Sequence, residues 1–268
     1  MIKSVAKAIE IMNTFSPTES RLTLREIAQR LEQPKSTVHN LLATLAHYGF
    51  VEKLHDDSYA LGTAIITLSQ SVRVNVELRD RAAPLLRQLA DNCRESVYLT
   101  VLDGDQSLYI YALESPSRLL ARTAVGDRVS LHCTSVGKAM LAAMPQDEVE
   151  SIVTKQNMVS FTPNTVTDLE ALLADLEETQ VRGFAIDNGE HEMGTYCVGA
   201  PILNHRGQVI GACSVSGQDP EIVGARLEEL SRQVTYTALE ISRRMGYVPA
   251  KISSLGTIGL HHAIPETE

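Results

Sequence analysis

The chain has 268 residues, 44% of them hydrophobic and 21% charged, with a formal net charge of −9. That supplies apolar material for a sizeable core and length for two domains rather than one. No apolar run is long enough to cross a bilayer, and the acidic balance gives no whole-chain sign of a nucleic-acid partner. The average hides an asymmetry. Residues 1–62 carry seven Lys/Arg against seven Asp/Glu, so the negative excess lies beyond them, in 17 basic and 26 acidic residues. The first segment is therefore the part least repelled by phosphate. Cys93, Cys133, Cys197 and Cys213 show no CxxC spacing and no signal-peptide pattern opens the chain. Reduced thiols in a soluble, cytoplasmic protein are expected.

In chain order, Val5, Ala8, Ile9 and Met12 predict a helix over 5–15, ended by Pro17. Thr23 and Glu26 have capping-box spacing and open a short helix burying Leu24, Ile27 and Leu31. After Gln33-Pro34, with Pro34 placed in the first turn, a third helix turns Val38, Leu41, Leu42 and Leu45 inward. Phe50, Val51, Leu54, Tyr59 and Leu61 flank Asp56-Asp57-Ser58, a hairpin signal. A long helix is expected over 63–78, then another over 81–93 with Asp80 as its cap and Pro84 in its opening turn. Beyond residue 96 the pattern is mixed. Strands bracket Asp103-Gly104-Asp105, helices are expected at 135–143, 147–154 and 168–180, the last opened by a box from Thr167 to Glu170, and strands at 184–187, 196–203 and 208–216. Asp219-Pro220 is expected to open a closing helix, and 247–268 lacks any period and reads as a disordered tail.

Three helices and a hairpin within about 60 residues form a winged helix-turn-helix, whose third helix enters the major groove. With the aliphatic stripe inward, Lys35, Ser36, Thr37, His39, Asn40 and Thr44 point outward, mostly near the helix start. Asn40 can pair with an adenine edge, Lys35 and Arg25 suit phosphate, and Lys53 with His55 sits on the hairpin. The pattern alone fits a solvated helical domain equally well.

The string Leu31-Glu32-Gln33-Pro34-Lys35-Ser36-Thr37-Val38-His39-Asn40-Leu41-Leu42, with Leu45 and Tyr48-Gly49-Phe50-Val51, resembles the recognition-helix signature of the IclR family of transcription regulators. GDRVSLHCTSVGK at 126–138 resembles that family's effector-loop motif, and residues 187–216 resemble its closing strand region. The likeness covers about residues 1–246. Asn40 stands where many members carry Arg, so operator preference does not transfer. The resemblance implies an α+β chain: a winged helix-turn-helix domain over 1–62, a linker helix over 63–79 and a GAF-like α/β effector domain over 80–246. It implies a repressor that binds double-stranded operator DNA as a homodimer or dimer of dimers.

For the effector, the loop 126–134 leads into a helix start whose amides can hold a carboxylate. Thr134 or Ser135 can equally serve as that helix's cap, and Gly137 and Lys138 read as packing and surface residues. Ser214 and Ser216 share one strand face, opposite Cys213 and Val215; Cys197 aligns with Gly199. Asp187 and Glu190 can accept from ligand hydroxyls. The expected effector site is Gly126, His132, Cys133, Thr134, Asp187, Glu190, Cys197, Ser214 and Ser216, for a small hydroxy- or oxo-carboxylic acid such as a sugar acid. No metal, cofactor or catalytic residue is expected. The rival readings are a metal sensor using His132, Cys133, Asp187, His191 and Cys197, or a thiol enzyme using Cys133 beside His132; neighbours on an extended segment point apart, which disfavours the second.

Overall fold

The computed structural model describes residues 1–16, 19–70, 76–115 and 125–249. Its first elements are α1 (Lys3–Met12), β1 (Leu22–Thr23), α2 (Leu24–Arg30), α3 (Lys35–His47), β2 (Val51–Lys53) and β3 (Ser58–Leu61). The box opening α2 is made in full: Thr23 N donates to Glu26 Oε2 at 2.7 Å and Glu26 N to Thr23 Oγ1 at 3.3 Å. Ile11, Phe15, Ile27, Val38, Leu42, Leu45, Val51 and Tyr59 close into one core. The strands form an antiparallel sheet in the order β1-β3-β2. β1 was not foreseen, because two residues cannot display an alternation.

Several local expectations are corrected here. In α1 Ala8 and Met12 pack against the core as expected and Ile11 is buried beside them, while Val5 and Ile9 are exposed. A helix apolar on several sides leaves the choice of buried face to its neighbours. Pro34 is the N-cap of α3 rather than a residue of its first turn, and the preceding break is made by Glu32 at φ 51. The long helix expected over 63–78 is found as α4 (Ala64–Gln70), with 71–75 outside the described residues, and α5 runs Val76–Cys93. Asp80 and Pro84 therefore lie inside α5. Leu78, Ala82, Leu86, Leu89 and Cys93 keep one buried stripe across that proline, which stands on the exposed side. Packing of this face outweighs the hydrogen bond that Pro84 cannot make.

The second set comprises β4 (Ser96–Asp103), β5 (Gln106–Leu113), β6 (Arg128–Ser130), α6 (Ser135–Ala142), α7 (Gln146–Gln156), α8 (Leu169–Arg182), β7 (Ala185–Asn188), β8 (Tyr196–Leu203), β9 (Val209–Gly217) and α9 (Leu227–Arg244). Asp168, one residue later than expected, caps α8 by accepting from Ala171 N at 2.9 Å. Asp219 caps only a short turn, Pro220–Ile222, and the closing helix starts at Leu227. The expected tail lies outside the described residues from 250 onward.

The six strands pair antiparallel in the order β6-β5-β4-β9-β8-β7. Alternation gives this sheet two unlike faces. Val97, Val198 and Val215 align across it, as do Leu99, Ala200 and Cys213, and both rows pack under α5 and α9. The other face carries the row Asp187, Cys197, Ser216, Ser96 and the row Ala185, Gly199, Ser214, Tyr98. Against that face lies the start of α6. A Cβ on Gly199 would stand 2.8 Å from the Ser135 carbonyl carbon, so glycine permits the approach. No helix of the described residues is long and apolar enough to cross a membrane.

Candidate DNA interface and effector cavity

On α3, Val38, Leu42 and Leu45 are buried, whereas Lys35, Ser36, His39, Asn40 and Thr44 are exposed and Thr37 is half-buried. Arg25 is exposed on α2 and Lys53 on β2. The eight expected DNA-contacting residues thus occur on three elements of one small domain. Two of them already have partners. Thr44 Oγ1 donates to Asn40 O at 3.0 Å, and Lys53 Nζ pairs with Asp57 Oδ1 at 2.6 Å. Arg30 is taken up structurally, reaching both carboxylate oxygens of Glu19 at 3.0 and 2.6 Å and Thr14 O at 3.3 Å. That clamp ties the end of α2 to the chain after α1.

The polar sheet face and the start of α6 enclose about 40 Å3 within a wider recess of about 420 Å3 open to solvent. The enclosed part has room for about three waters. Thr134, Asp187, Cys197, Ser214 and Ser216 line it, so five of the nine expected effector residues are brought together. Thr134 is the cap of α6: its Oγ1 accepts from Gly137 N at 3.2 Å and donates to Ser130 O at 2.9 Å. The first-turn amides of Ser135 and Val136, which no carbonyl of the helix can reach, belong to cavity-lining residues. Cys197 Sγ lies 3.1 Å from Ser216 Oγ.

Four expected residues do not line the cavity. Gly126 takes φ 104 in the turn before β6, and its N donates to Tyr109 O at 2.9 Å. His132 is buried with Nε2 3.1 Å from Val159 O. Cys133 is fully buried, and its Sγ meets His191 Nδ1 at 3.7 Å rather than His132. Burial, reinforced by Asp187 and Glu190, pushes the Cys133 thiol far above its ordinary value, which makes it a poor nucleophile. Glu190 is bound to Lys138, Nζ to Oε1 at 2.6 Å. Lys138, expected at the surface, is only 2% exposed and also pairs with Asp175 at 2.6 Å. Gly137 does serve packing, since a Cβ there would stand 2.3 Å from Leu131 O.

Tyr98, Tyr109, Glu192 and Thr195, absent from the expected site, also line the cavity, as does His191, considered from the sequence only as a metal ligand. Tyr98 was legible in principle, as the polar residue between Val97 and Leu99 on a strand. Its hydroxyl donates to Glu114 Oε1 at 2.9 Å. Asp187, 3% exposed, accepts from Glu190 N at 2.8 Å. Burial raises its carboxyl to about 7, while those backbone bonds work the other way. Burial lowers His191 and so favours the neutral ring.

Comparison with known proteins places both regions. A family model described as the IclR helix-turn-helix domain matches residues 4–55, and one described as the bacterial transcriptional regulator IclR C-terminal matches residues 70–243. The chain is 30% identical to the HTH-type transcriptional regulator XynR of Escherichia coli, over 92% of this chain and 98% of that protein. It is 34% identical to the regulator BhcR of Paracoccus denitrificans, over 93% and 89%. Among solved structures, Thermotoga maritima IclR superposes with a TM-score of 0.79 at 30% identity, covering 92% of this chain and all of that one (100%). An IclR homolog from Microbacterium hydrocarbonoxydans, complexed with 4-hydroxybenzoate, gives a TM-score of 0.81 at 26% identity, covering 90% and 98%.

Proposed function

This chain is a helix-turn-helix transcription regulator of the IclR family, and from that premise we propose that a small hydroxy- or oxo-carboxylic acid sets its affinity for operator DNA. One observation carries the reading: Ser135 and Val136, first-turn residues of α6 whose amides have no carbonyl partner within the helix, line the same cavity as a wall of hydroxyl, thiol and carboxyl groups. Helix-start amides favour an anion, and the wall offers partners to the acid's hydroxyl or oxo group. The relative crystallised with 4-hydroxybenzoate, itself a hydroxy acid, supports the class.

The regulator acts in this proposal as a homodimer or dimer of dimers, each winged domain taking half of a near-palindromic operator. Residues 1–62 read DNA, 63–79 link, and 80–246 sense the acid. Arg25, Lys35 and Lys53 meet phosphate, and Ser36, Thr37, His39, Asn40 and Thr44 face the groove. Effector binding changes operator affinity by the acid's differential affinity for two arrangements of the winged domains.

The test has two arms. DNA selected from a random pool is titrated with the parent, Asn40→Ala and Lys35→Ala proteins. Asn40→Ala should relax preference at one base position, and Lys35→Ala should weaken every sequence and flatten the salt dependence by about one ion. Parent-like binding by both variants removes α3 from the reading role. A thermal-shift screen of small carboxylic acids, with and without the selected DNA, should show stabilisation by an acid and a change in DNA affinity.

A further inference from the structure

The cavity has an unusual charge inventory for a place that receives an anion. Among the described residues lining it there is no Lys or Arg, while Asp187 and Glu192 bring carboxyl groups. Lys138, the lysine whose charge acts on Asp187, is already committed to Glu190 and Asp175 at 2.6 Å each. Arg182 stands behind Asp175 at 3.2 Å. Glu190 keeps its second carboxylate oxygen buried without a hydrogen-bond partner, so that cluster has no positive charge to spare. The groups facing Asp187 are Glu190 and His191 from the loop after β7, Cys197 from β8, Lys138 from α6, and Cys133 ahead of α6. A carboxylate arriving at the α6 amides meets a buried carboxyl group across a space of low dielectric, where repulsion is much stronger than in water.

Resting on the carboxylic-acid reading above, we propose that the effector enters together with one proton, which Asp187 holds, so that ligand binding is proton-linked. The protonated side chain keeps Oδ1 as the acceptor for Glu190 N and gains an O–H that can donate to the ligand. No covalent step is involved; one proton moves from buffer to the Asp187 carboxyl. Burial already brings that carboxyl to about 7, so the proton is held at small cost near neutrality. Of the other titratable groups facing Asp187, Glu190 is ion-paired with Lys138 and burial pushes His191 towards its neutral form, so both are the poorer acceptors.

The consequence is specific to an anionic effector. Affinity should fall about tenfold for each unit of pH above about 7. The experiment is calorimetry on the full chain with glycolate, pyruvate, gluconate and 4-hydroxybenzoate, each in buffers of different ionisation enthalpy. Uptake close to one proton per site is expected at about pH 8, and close to none at about pH 5.5. The Asp187→Asn protein, which mimics the protonated side chain, should bind the same acid with no uptake and no pH dependence. Binding by the parent without uptake at the higher pH overturns the inference and leaves the carboxylic-acid reading standing. Uptake that persists in Asp187→Asn overturns the assignment to Asp187. Binding of none of the four acids at any pH removes the carboxylic-acid reading and this inference with it.

Discussion

Lys138 donates to Glu190 across 2.6 Å, fastening the helix whose first turn lines the cavity to the loop after β7, the strand that carries Asp187. A second bond to Asp175 extends the fastening to α8. Burial works against the lysine's charge, but the two carboxylates outweigh it and hold its pKa above the ordinary value. Replacing Lys138 with Met leaves the buried Glu190 without its cation, while Asp175 keeps Arg182. Loss of one partner from such a cluster costs about 3–5 kcal/mol. Urea denaturation near neutral pH should show a loss of that order, and the loss should shrink as pH falls, because burial raises Glu190 towards its neutral form. A change below about 1 kcal/mol would show that the cluster relaxes into solvent.

Gly199 decides how closely α6 meets the sheet. A methyl group there would stand 2.8 Å from the Ser135 carbonyl carbon and 2.9 Å from its oxygen, both backbone atoms. Gly199→Ala should therefore push the helix start off the sheet, costing about 1–3 kcal/mol. The thermal shift produced by an acid should shrink or vanish, with DNA binding in the absence of acid retained. A variant that melts like the parent and responds fully to acid would separate the α6 amides from ligand binding.

In the wing, Lys53 is held by Asp57 at 2.6 Å, a bond that raises the lysine's pKa. That pairing competes with phosphate for the same ammonium group. Asp57 sits at φ 60, a conformation asparagine also tolerates, so Asp57→Asn frees Lys53 without breaking the turn. Operator affinity at low salt should rise by about threefold to tenfold, with a salt slope steeper by up to about one ion. Equal affinity and slope would mean that the wing stays clear of the phosphates.

Stability should carry the mark of Asp187 even without ligand. Its folded-state pKa, about 7, lies above the ordinary 3.8, so the folded protein prefers the protonated group. That contribution is fully present below the ordinary value and is lost as pH rises through about 7. Asp187→Asn should accordingly melt several degrees above the parent at about pH 8, a gain on the order of 1–3 kcal/mol. The gap should close by about pH 4. An Asn variant that is less stable at every pH would show that the carboxylate has favourable partners beyond Glu190 N.

What could be read from the chain alone was whatever a few neighbouring residues settle among themselves. The Thr23–Glu26 cap, the turn at Asp56-Asp57-Ser58 and the alternation of Cys213, Ser214, Val215 and Ser216 depend on hydrogen bonds and periods spanning a handful of positions, and each is found in place. Likewise Asp187, Cys197, Ser214 and Ser216 reach one cavity because strand period puts them on one face once the strands pair. Tertiary structure alone decided the rest. Lys138 is buried because its carboxylates come from 37 and 52 positions away, a separation no local pattern reports. Pro84 sits within α5 because the sheet buries a continuous stripe, and Glu190 turns from ligand candidate to ion-pair partner because Lys138 is within reach. Short-range geometry is written in adjacent residues, whereas burial and charge pairing are properties of the assembled fold and of what it brings into contact.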